Sequence, residues 1–422
     1  MLCGLSWIVT ERTIADVQPL DIALRIVTRI CNSTTGLYQR LSEPGELNKR
    51  FAKANAEILA EAPFKPVSGT VDVYPTELAP VLASKATWAG RPILQSYSAY
   101  TKALLEDNAR HLEGASAPQN IYFTVMAIDD RLPAQDDSLS WPALFSNYDV
   151  VGLEGGYLRL AKGTGRPVTF GPEQIQTVRA GETITVPKNG MQWASIDLQP
   201  SLLGKMSLML YKMPEVTIEL TMADGRIQKH RLIPDIARHG FLLSPYIESS
   251  RDFVMAAFGE LDKRVASIRV LTLRPSLWAG HMRISLRSLE IAPQVQAIRA
   301  IAVEPYYPMA RPVATTGDCS IDRIERMAGG VVRMAGWISP AARSGIEPER
   351  VTLTLQAGQR EHFNVPLNLR PDVAAAFNQP TMKRVGFDSL LDASRLSGQI
   401  TGSVSATYND KEYACQTTRA AG

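Results

Sequence analysis

The chain has 422 residues, of which 45% are hydrophobic and 21% are charged. This composition is typical of globular proteins and excludes a chain that is disordered throughout, and the length predicts two to four domains. The 45 basic and 42 acidic side chains leave a formal net charge of +3 and form no basic stripe. No nucleic-acid partner is therefore expected.

Residues 1–65 are predicted to form a helical N-terminal segment. Apolar side chains recur at helical spacing from Thr13 to Ile30, and the polar stretch from Asn32 to Gly36 is expected to end that helix. A second helix is expected from Pro44 to Ala62. The apolar run from Met1 to Val9 is too short to span a bilayer and lacks the marks of a signal peptide, so that no export signal is predicted.

Residues 66–150 alternate strands with helices, which is the pattern of a small α/β domain with a mostly parallel sheet. Apolar and β-branched runs predict the strands, and amphipathic runs predict the helices. The expected strands are Val67–Tyr74, Pro92–Tyr97 and Asn120–Ile128, and the expected helices are Thr76–Lys85, Thr101–Leu112 and Leu139–Tyr148.

Residues 151–295 are predicted to form an antiparallel β-sandwich of the jelly-roll kind. One strand is expected from Lys205 to Lys212, and Asp224-Gly225 is a strong signal for a hairpin. A single helix is expected from Ser250 to Phe258.

The C-terminal part of the chain is predicted to contain a second antiparallel β-sandwich at 317–417. A proline-dotted linker at 296–316 precedes it, and a short polar tail at 418–422 follows it. The predicted fold class is therefore α+β and multidomain, with a helical lead, a small α/β unit and two antiparallel β-sandwich domains.

The four cysteines, Cys3, Cys31, Cys319 and Cys415, form no CxxC pair, which argues against a zinc site. No metal and no other cofactor is predicted. The first and last strands of a sandwich are often neighbours, which favours a disulfide between Cys319 and Cys415, with Cys3 paired to Cys31. Buried free thiols are the alternative.

Carboxylates near the predicted strand ends are the candidates for catalysis. Asp129 and Asp130 follow a buried strand, and Asp72 lies in the strand before it. Ligands and reacting groups in α/β sheets gather at the carboxyl ends of the strands. If the chain is an enzyme, these three aspartates are its catalytic candidates. The alternative is a capped turn in which Arg131 forms an ion pair with its acidic neighbours.

Aromatic and amide side chains are the candidates for ligand binding. Gln95, Tyr97 and Tyr100 lie at the end of a predicted strand and just after it, and such groups bind sugars by stacking and by hydrogen bonds. Trp278, in an irregular stretch, is a candidate stacking platform. The alternative is a polar loop that satisfies its own backbone. Clustering of Gln95, Tyr97 and Tyr100 with the aspartates would favour an enzyme or a small-ligand site.

Two sets of short strings carry a family resemblance. The first set is Asp72-Val-Tyr-Pro75, Arg91-Pro-Ile-Leu-Gln-Ser-Tyr-Ser-Ala-Tyr-Thr101, Ile128-Asp-Asp-Arg-Leu-Pro133 and Ser140-Trp-Pro142. It resembles the extracytoplasmic tail of large bacterial multi-spanning membrane proteins whose membrane halves look like glycosyltransferases. The second set is Gly336-Trp337, Arg370-Pro-Asp-Val-Ala-Ala375 and Gly386-Phe387. It resembles a β-sandwich module found on bacterial envelope glycosyltransferases.

The resemblance implies a location on the periplasmic face of a bacterial membrane, with a membrane-embedded partner or a membrane half that precedes this chain. The preferred hypothesis is a non-catalytic, extracytoplasmic module that recognises glycan or docks partners for an envelope polysaccharide system. One alternative is a saccharide-active enzyme with its site in residues 66–150. Another is a structural spacer domain of a membrane protein.

Overall fold

A computed structural model describes residues 19–61, 67–154, 156–210, 213–305 and 315–421, and side chains from Leu24 onward. The fold is α+β and multidomain, as predicted: a helical lead precedes a small α/β unit and two β-sandwich units. None of the helices within these ranges is both long enough and apolar enough to cross a membrane.

The helical lead consists of α1 (Pro19–Ser42) and α2 (Glu46–Glu61). The predicted break from Asn32 to Gly36 is wrong, because α1 continues through it. The hydroxyl of Thr34 donates to the carbonyl oxygen of Cys31 at 2.8 Å, which keeps this polar side chain compatible with a helix.

The α/β unit is built on a five-stranded mixed sheet with the order β2-β1-β3-β5-β4. β2, β1 and β3 are parallel, whereas β5 is antiparallel to both β3 and β4. The elements are β1 (Thr70–Tyr74), α3 (Ala79–Ala83), β2 (Thr87–Trp88), α4 (Lys102–Glu113), β3 (Asn120–Phe123), α5 (Ser140–Asn147), β4 (Tyr148–Glu154) and β5 (Tyr157–Lys162).

Two details of this sheet differ from the prediction. The sheet runs past residue 150 to Lys162 and is half antiparallel. The predicted strand from Pro92 to Tyr97 is absent, and the parallel edge is formed by Thr87–Trp88. The guanidinium of Arg91 is the physical reason, because its Nη2 donates to the carbonyl oxygen of Leu94 at 2.6 Å and folds the segment around itself.

The middle sandwich packs a sheet of order β11-β10-β13-β8 against a sheet of order β12-β9-β14-β6, in which β7 also pairs with β14. Its strands are β6 (Val168–Phe170), β7 (Gln174–Val178), β8 (Thr183–Thr185), β9 (Met191–Asp197), β10 (Val216–Met222), β11 (Ile227–Leu232), β12 (Phe241–Ser244), β13 (Val265–Thr272) and β14 (Met282–Ile291). Its helices are α6 (Leu202–Leu210), α7 (Pro234–Ala237) and α8 (Ser250–Phe258). The predicted hairpin is present, with Gly225 at a φ of +87° between β10 and β11.

The predicted strand from Lys205 to Lys212 is wrong, because α6 occupies its described part. The hydroxyl of Ser201 accepts a hydrogen bond from the backbone N–H of Gly204 at 3.1 Å, which is the geometry of a helix N-cap. Leucine, methionine and lysine are also strong helix formers. The apolar run is therefore helical.

The sheet that contains β9 and β14 is buried on both faces. Ala194, Ile196 and Leu286 point into the core between the two sheets of the sandwich. Trp193 and Leu289 point the other way, into the core of the α/β unit, because successive side chains of a strand face opposite sides.

Helix α8 completes that second core. The ring of Phe253 stacks on Phe145 with centroids 4.3 Å apart and lies 4.5 Å from the ring of Phe123. Beside it, the side-chain amide of Gln294 donates to the carbonyl oxygens of Phe145 and Tyr148. The α/β unit and the middle sandwich therefore share one packed interface.

The terminal sandwich packs a six-stranded sheet, of order β15-β22-β21-β18-β19 with β23 on β21, against a sheet of order β16-β17-β20. Its elements are β15 (Thr315–Thr316), β16 (Asp318–Met327), β17 (Val331–Ser339), β18 (Arg350–Ala357), β19 (Gln359–Val365), α9 (Pro371–Ala376), β20 (Gly386–Asp392), β21 (Thr401–Tyr408), β22 (Lys411–Ala414) and β23 (Arg419–Ala420). The tail predicted at 418–422 thus contributes a short strand.

Cys319 and Cys415 form a disulfide that joins the start and the end of this sandwich. Cys31 is exposed, and Cys3 lies outside the described residues, as do positions 306–314 of the predicted linker. The described part of that linker is packed: Ala297 and Ile298 are buried, and Val303 forms a bridge with Leu391.

Replacement of Phe253 by alanine is expected to lower the free energy of unfolding by about 3–5 kcal/mol, because it leaves a cavity among three aromatic rings. Urea unfolding followed by tryptophan fluorescence measures the loss. The exposed control Leu369→Ala should change stability by less than about 0.5 kcal/mol. Separate unfolding of the α/β unit and the middle sandwich in the native protein would contradict the shared core.

Replacement of both Cys319 and Cys415 by serine is expected to destabilise the terminal sandwich by about 4 kcal/mol, because their disulfide closes a loop with a sequence separation of 96. Urea unfolding of the native protein with and without reductant should show the same loss. The control Cys31→Ser should have no effect, and equal stability of the double variant would contradict the disulfide.

Candidate functional site

The carboxyl end of β1 is filled by a buried ion pair. Nη1 of Arg91 lies 3.0 Å from Oδ2 of Asp72, and both side chains are almost fully buried. The indole N–H of Trp88 donates to the other carboxylate oxygen at 3.2 Å. Arg91 also donates to the carbonyl oxygen of Val73 and stacks over the ring of Tyr74. Asp72 therefore serves as the counterion of Arg91 and is closed to solvent.

Asp137 lies beside this pair and is also buried. Asn108 and Ser140 donate to its Oδ2 at 3.0 and 2.9 Å. Burial raises the pKa of the Asp137 carboxyl to about 6, against the opposing charge of Arg91. The adjacent cavity has a volume of only 20 Å³, room for about one water molecule. The Asp137 carboxyl can therefore hold a proton, but the cavity beside it is too small to hold a substrate.

A second buried ion pair lies closer to the surface. Nη1 of Arg131 lies 3.1 Å from Asp136 and 3.0 Å from the carbonyl oxygen of Tyr97, and Nη2 donates to the hydroxyl of Tyr100 at 2.7 Å. Burial raises the pKa of the Asp136 carboxyl to about 6, while Arg131 opposes the shift. Arg131 thus fixes the position of the Tyr100 side chain.

Asp129 and Asp130 form a tight turn, with φ angles of +50° and +57°. Oδ2 of Asp129 lies 3.3 Å from Nη1 of Arg231 and 3.8 Å from Nη2 of Arg131. The carbonyl oxygen of Asp130 accepts a hydrogen bond from the backbone N–H of Arg231 at 2.9 Å. The structure therefore contains the predicted alternative, a turn with an ion pair to Arg131. The contacts with Arg231 also connect this turn of the α/β unit to β11.

A groove of 660 Å³ opens where this turn meets the middle sandwich. Its size is within the usual range for small-molecule sites, which also tend to lie between domains. The polar wall carries an exposed phenol ring, two guanidinium groups and three carboxylates, and the opposite wall is the apolar end of α6. The lining includes Tyr100, Asp129, Arg131, Glu215, Arg231, Asp235, Leu208, Met209, Leu210 and Trp278.

Three of the residues predicted from the sequence meet in this groove: Tyr100, Asp129 and Trp278. The role proposed for Trp278 is wrong, because its side chain is 7% exposed and belongs to the sandwich core, so that it has no open face for stacking. Tyr100 is 42% exposed and is the aromatic ring that a ligand can reach.

The other predicted residues do not join them. Asp72 is buried in its ion pair, and Gln95, Tyr97 and Asp130 are not part of the groove lining. The predicted catalytic set of Asp72, Asp129 and Asp130 is therefore not assembled in one pocket. Among residues 24–421, apart from the gaps noted above, no group of three or more His, Cys, Asp or Glu side chains is placed to hold a metal ion.

Sequence reasoning missed Arg231, Glu215 and the wall formed by α6. Arg231 lies in the short basic cluster Lys229-His230-Arg231, and its pairing with Asp129 joins segments that are far apart in the chain. A second concave surface of 610 Å³, mostly apolar, was also missed. It lies between α5, α8 and β14, with Phe145, Ala257 and Ile291 in its wall.

Comparison with solved structures gives a distant likeness, whereas the sequence comparisons give none. No family model matches the chain, and no curated protein sequence matches it. A solved structure of a DUF4785 family protein from Legionella pneumophila is similar at 11% sequence identity, with a TM-score of 0.15. The match covers 62% of this chain and 62% of that one, so the chain spans less than two thirds of that protein. A likeness this weak carries no argument about function.

The buried carboxyls predict a pH dependence of stability. The pKa values of Asp136 and Asp137 rise from an ordinary value of 3.8 to about 6 in the folded protein. The folded state therefore binds more protons than the unfolded state between these values, and stability falls as pH rises from about 4 to about 6. Each group contributes on the order of 1–2 kcal/mol to that fall.

The variant Asp137→Asn cannot ionise but keeps an oxygen acceptor for Asn108 and Ser140. Its loss of stability between pH 4.5 and 7.5 should be smaller than that of the native protein by about 1–2 kcal/mol. Urea unfolding at the two pH values measures the difference. The exposed control Asp235→Asn should retain the native slope, and an unchanged slope for Asp137→Asn would contradict the raised pKa.

Proposed function

We propose that the chain is a non-catalytic, extracytoplasmic module of a bacterial envelope polysaccharide system, and that it binds saccharide in the groove between the α/β unit and the middle sandwich. The observation that carries this proposal is the composition of the groove. The exposed ring of Tyr100 lies in the same groove as the carboxylate of Asp129 and the guanidinium of Arg231, which form an ion pair with each other.

A saccharide suits this surface for chemical reasons. A sugar ring presents C–H groups that stack on an aromatic face, and hydroxyls that both donate and accept hydrogen bonds. Asp129 offers acceptor oxygens to such hydroxyls, and Arg231 offers donors. Because these two residues neutralise each other, the groove favours a neutral oligosaccharide over a strongly charged one.

The proposed compartment has separate support. Structural disulfides persist in oxidising compartments such as the periplasm and are rare in the cytosol. The bond between Cys319 and Cys415 supports a location outside the cytoplasm. The resemblance to extracytoplasmic tails of membrane proteins points in the same direction.

The rival hypotheses have less support. A saccharide-active enzyme would draw on Asp72, Asp129 and Asp130, and Asp72 is closed to solvent by Arg91. A structural spacer would have no use for an exposed tyrosine held in place by a buried arginine. Docking of a partner protein in the groove is the remaining form of the proposal, and a negative saccharide screen would favour it.

Replacement of Tyr100 by alanine is expected to weaken saccharide binding about fivefold, because stacking on an aromatic ring contributes about 1 kcal/mol. Tyr100→Phe keeps the ring but removes the hydroxyl bonded to Arg131, and should cost less affinity. A glycan array identifies the ligand, and titration calorimetry measures its affinity. Tyr38, an exposed tyrosine in α1, provides the matched control Tyr38→Ala.

Binding that is unchanged in both Tyr100→Ala and Asp129→Asn would exclude the groove as the site. Absence of binding to any neutral saccharide on the array would refute saccharide recognition itself.

A further inference from the structure

Helix α6 exposes apolar side chains to an unusual degree. Leu202, Met206, Met209 and Leu210 are 83%, 64%, 86% and 75% exposed, and Gly204 is the buried residue of the helix. Leaving apolar surface in water is unfavourable, and a contiguous apolar patch of this kind marks an interaction site.

The outward orientation of these side chains is built into the fold. A Cβ atom at position 204 would lie 2.0 Å from the carbonyl oxygen of Leu277, so only glycine allows this close approach of the helix. The hydroxyl of Ser201 donates to the carbonyl oxygen of Ser276 at 2.7 Å and anchors the first turn. The face of α6 that contains Gly204 therefore packs against the segment of Leu277, and the leucine and methionine side chains of the helix point into solvent.

The exposed side chains form a continuous stripe. Leu202, Met206 and Met209 are spaced at i, i+4 and i+7, which places them on one face of a helix. Leu273 is 80% exposed and immediately precedes the segment against which α6 packs. Leu273 therefore adds an exposed apolar side chain next to the segment that α6 contacts.

The charged side chains on α6 and on the loop beside Leu273 are basic. Lys205 lies on α6 and Arg274 is exposed beside Leu273, and neither α6 nor the loop from 273 to 280 contains an acidic residue. The acids that line the groove beside α6, namely Asp129, Glu215 and Asp235, each have an arginine partner. An apolar stripe flanked by basic groups complements a bilayer surface that carries anionic lipid.

We infer that α6 is a membrane-docking helix that lies in the interface of a bilayer containing anionic lipid. Nine residues of helix span about 14 Å, so that α6 can lie in the interface but cannot cross it. This inference deepens the proposed function, on whose envelope location it rests, by naming the membrane as a direct partner. Since α6 also walls the groove, docking would place the groove at the membrane surface.

An environment-sensitive fluorophore on α6 tests this directly. In the full chain with Cys3→Ser and Cys31→Ser, Met206→Cys supplies the labelling site while the disulfide stays intact. Vesicles of equal parts phosphatidylglycerol and phosphatidylcholine should shift the emission to the blue and raise its intensity at least twofold. Pure phosphatidylcholine should give a smaller rise. The label at the exposed control Leu369→Cys should not respond.

A response at Met206→Cys is specific to α6, even if the helical lead also binds vesicles. No response on anionic vesicles would overturn the inference. A response that appears without vesicles and grows with protein concentration would also overturn it, because it would indicate contact with a second copy of the chain.

A pair of substitutions provides the second measurement. Leu202→Gln with Met206→Gln should lower vesicle binding at least fivefold in flotation assays, whereas Ile227→Gln with Leu369→Gln, two exposed residues elsewhere, should not. Neither Leu202 nor Met206 lines the groove, so saccharide binding in solution should be unchanged. Failure of docking is therefore distinguishable from failure of saccharide recognition, and equal vesicle binding by both pairs would exclude α6.

Discussion

Adjacent residues of β9 point into two different hydrophobic cores, and the arrangement of the first two units depends on this. Ala194 helps to fill the sandwich, and Trp193 helps to fill the α/β unit. A sheet that is buried on both faces needs a partner on each, so the α/β unit cannot complete its core without the middle sandwich. The groove beside Tyr100 and the second, mostly apolar concave surface both lie along this junction, because concave surfaces form where the two units meet.

The carboxyl ends of the parallel strands, where α/β sheets usually place their binding sites, are filled here by buried guanidinium groups. Arg91 donates to a carboxylate and to several carbonyl oxygens at the carboxyl end of β1. Arg131 donates to a carboxylate, to one carbonyl oxygen and to the hydroxyl of Tyr100. Buried ion pairs of this kind recover little net stability after desolvation, but they define one arrangement of the surrounding loops. The strand ends are thereby filled from within, and the open surface is displaced to the junction with the sandwich.

Local signals in the sequence predicted local structure well. The helix at α4, capped by Thr101, and the Asp-Gly hairpin follow from neighbouring residues alone, and both are present. Features that depend on distant contacts were not predictable. The position of α6 depends on the approach of Gly204 to Leu277, and Trp278 is buried because the sandwich closes over it. The groove was only partly predictable from the sequence. Tyr100 and Asp129 were candidates because of their residue types, whereas Arg231 comes close to them only in the folded chain.

The backbone hydrogen bond between Asp130 and Arg231 has a consequence for the saccharide binding that we propose. It joins the two units at the edge of the groove, together with the ion pair of Asp129 and Arg231, before any ligand arrives. A preorganised site of this kind loses little conformational entropy on binding, so that more of the contact energy appears as affinity. The dimensions of the groove are also fixed in the free protein. The groove should therefore select ligands by size and shape and not by induced fit.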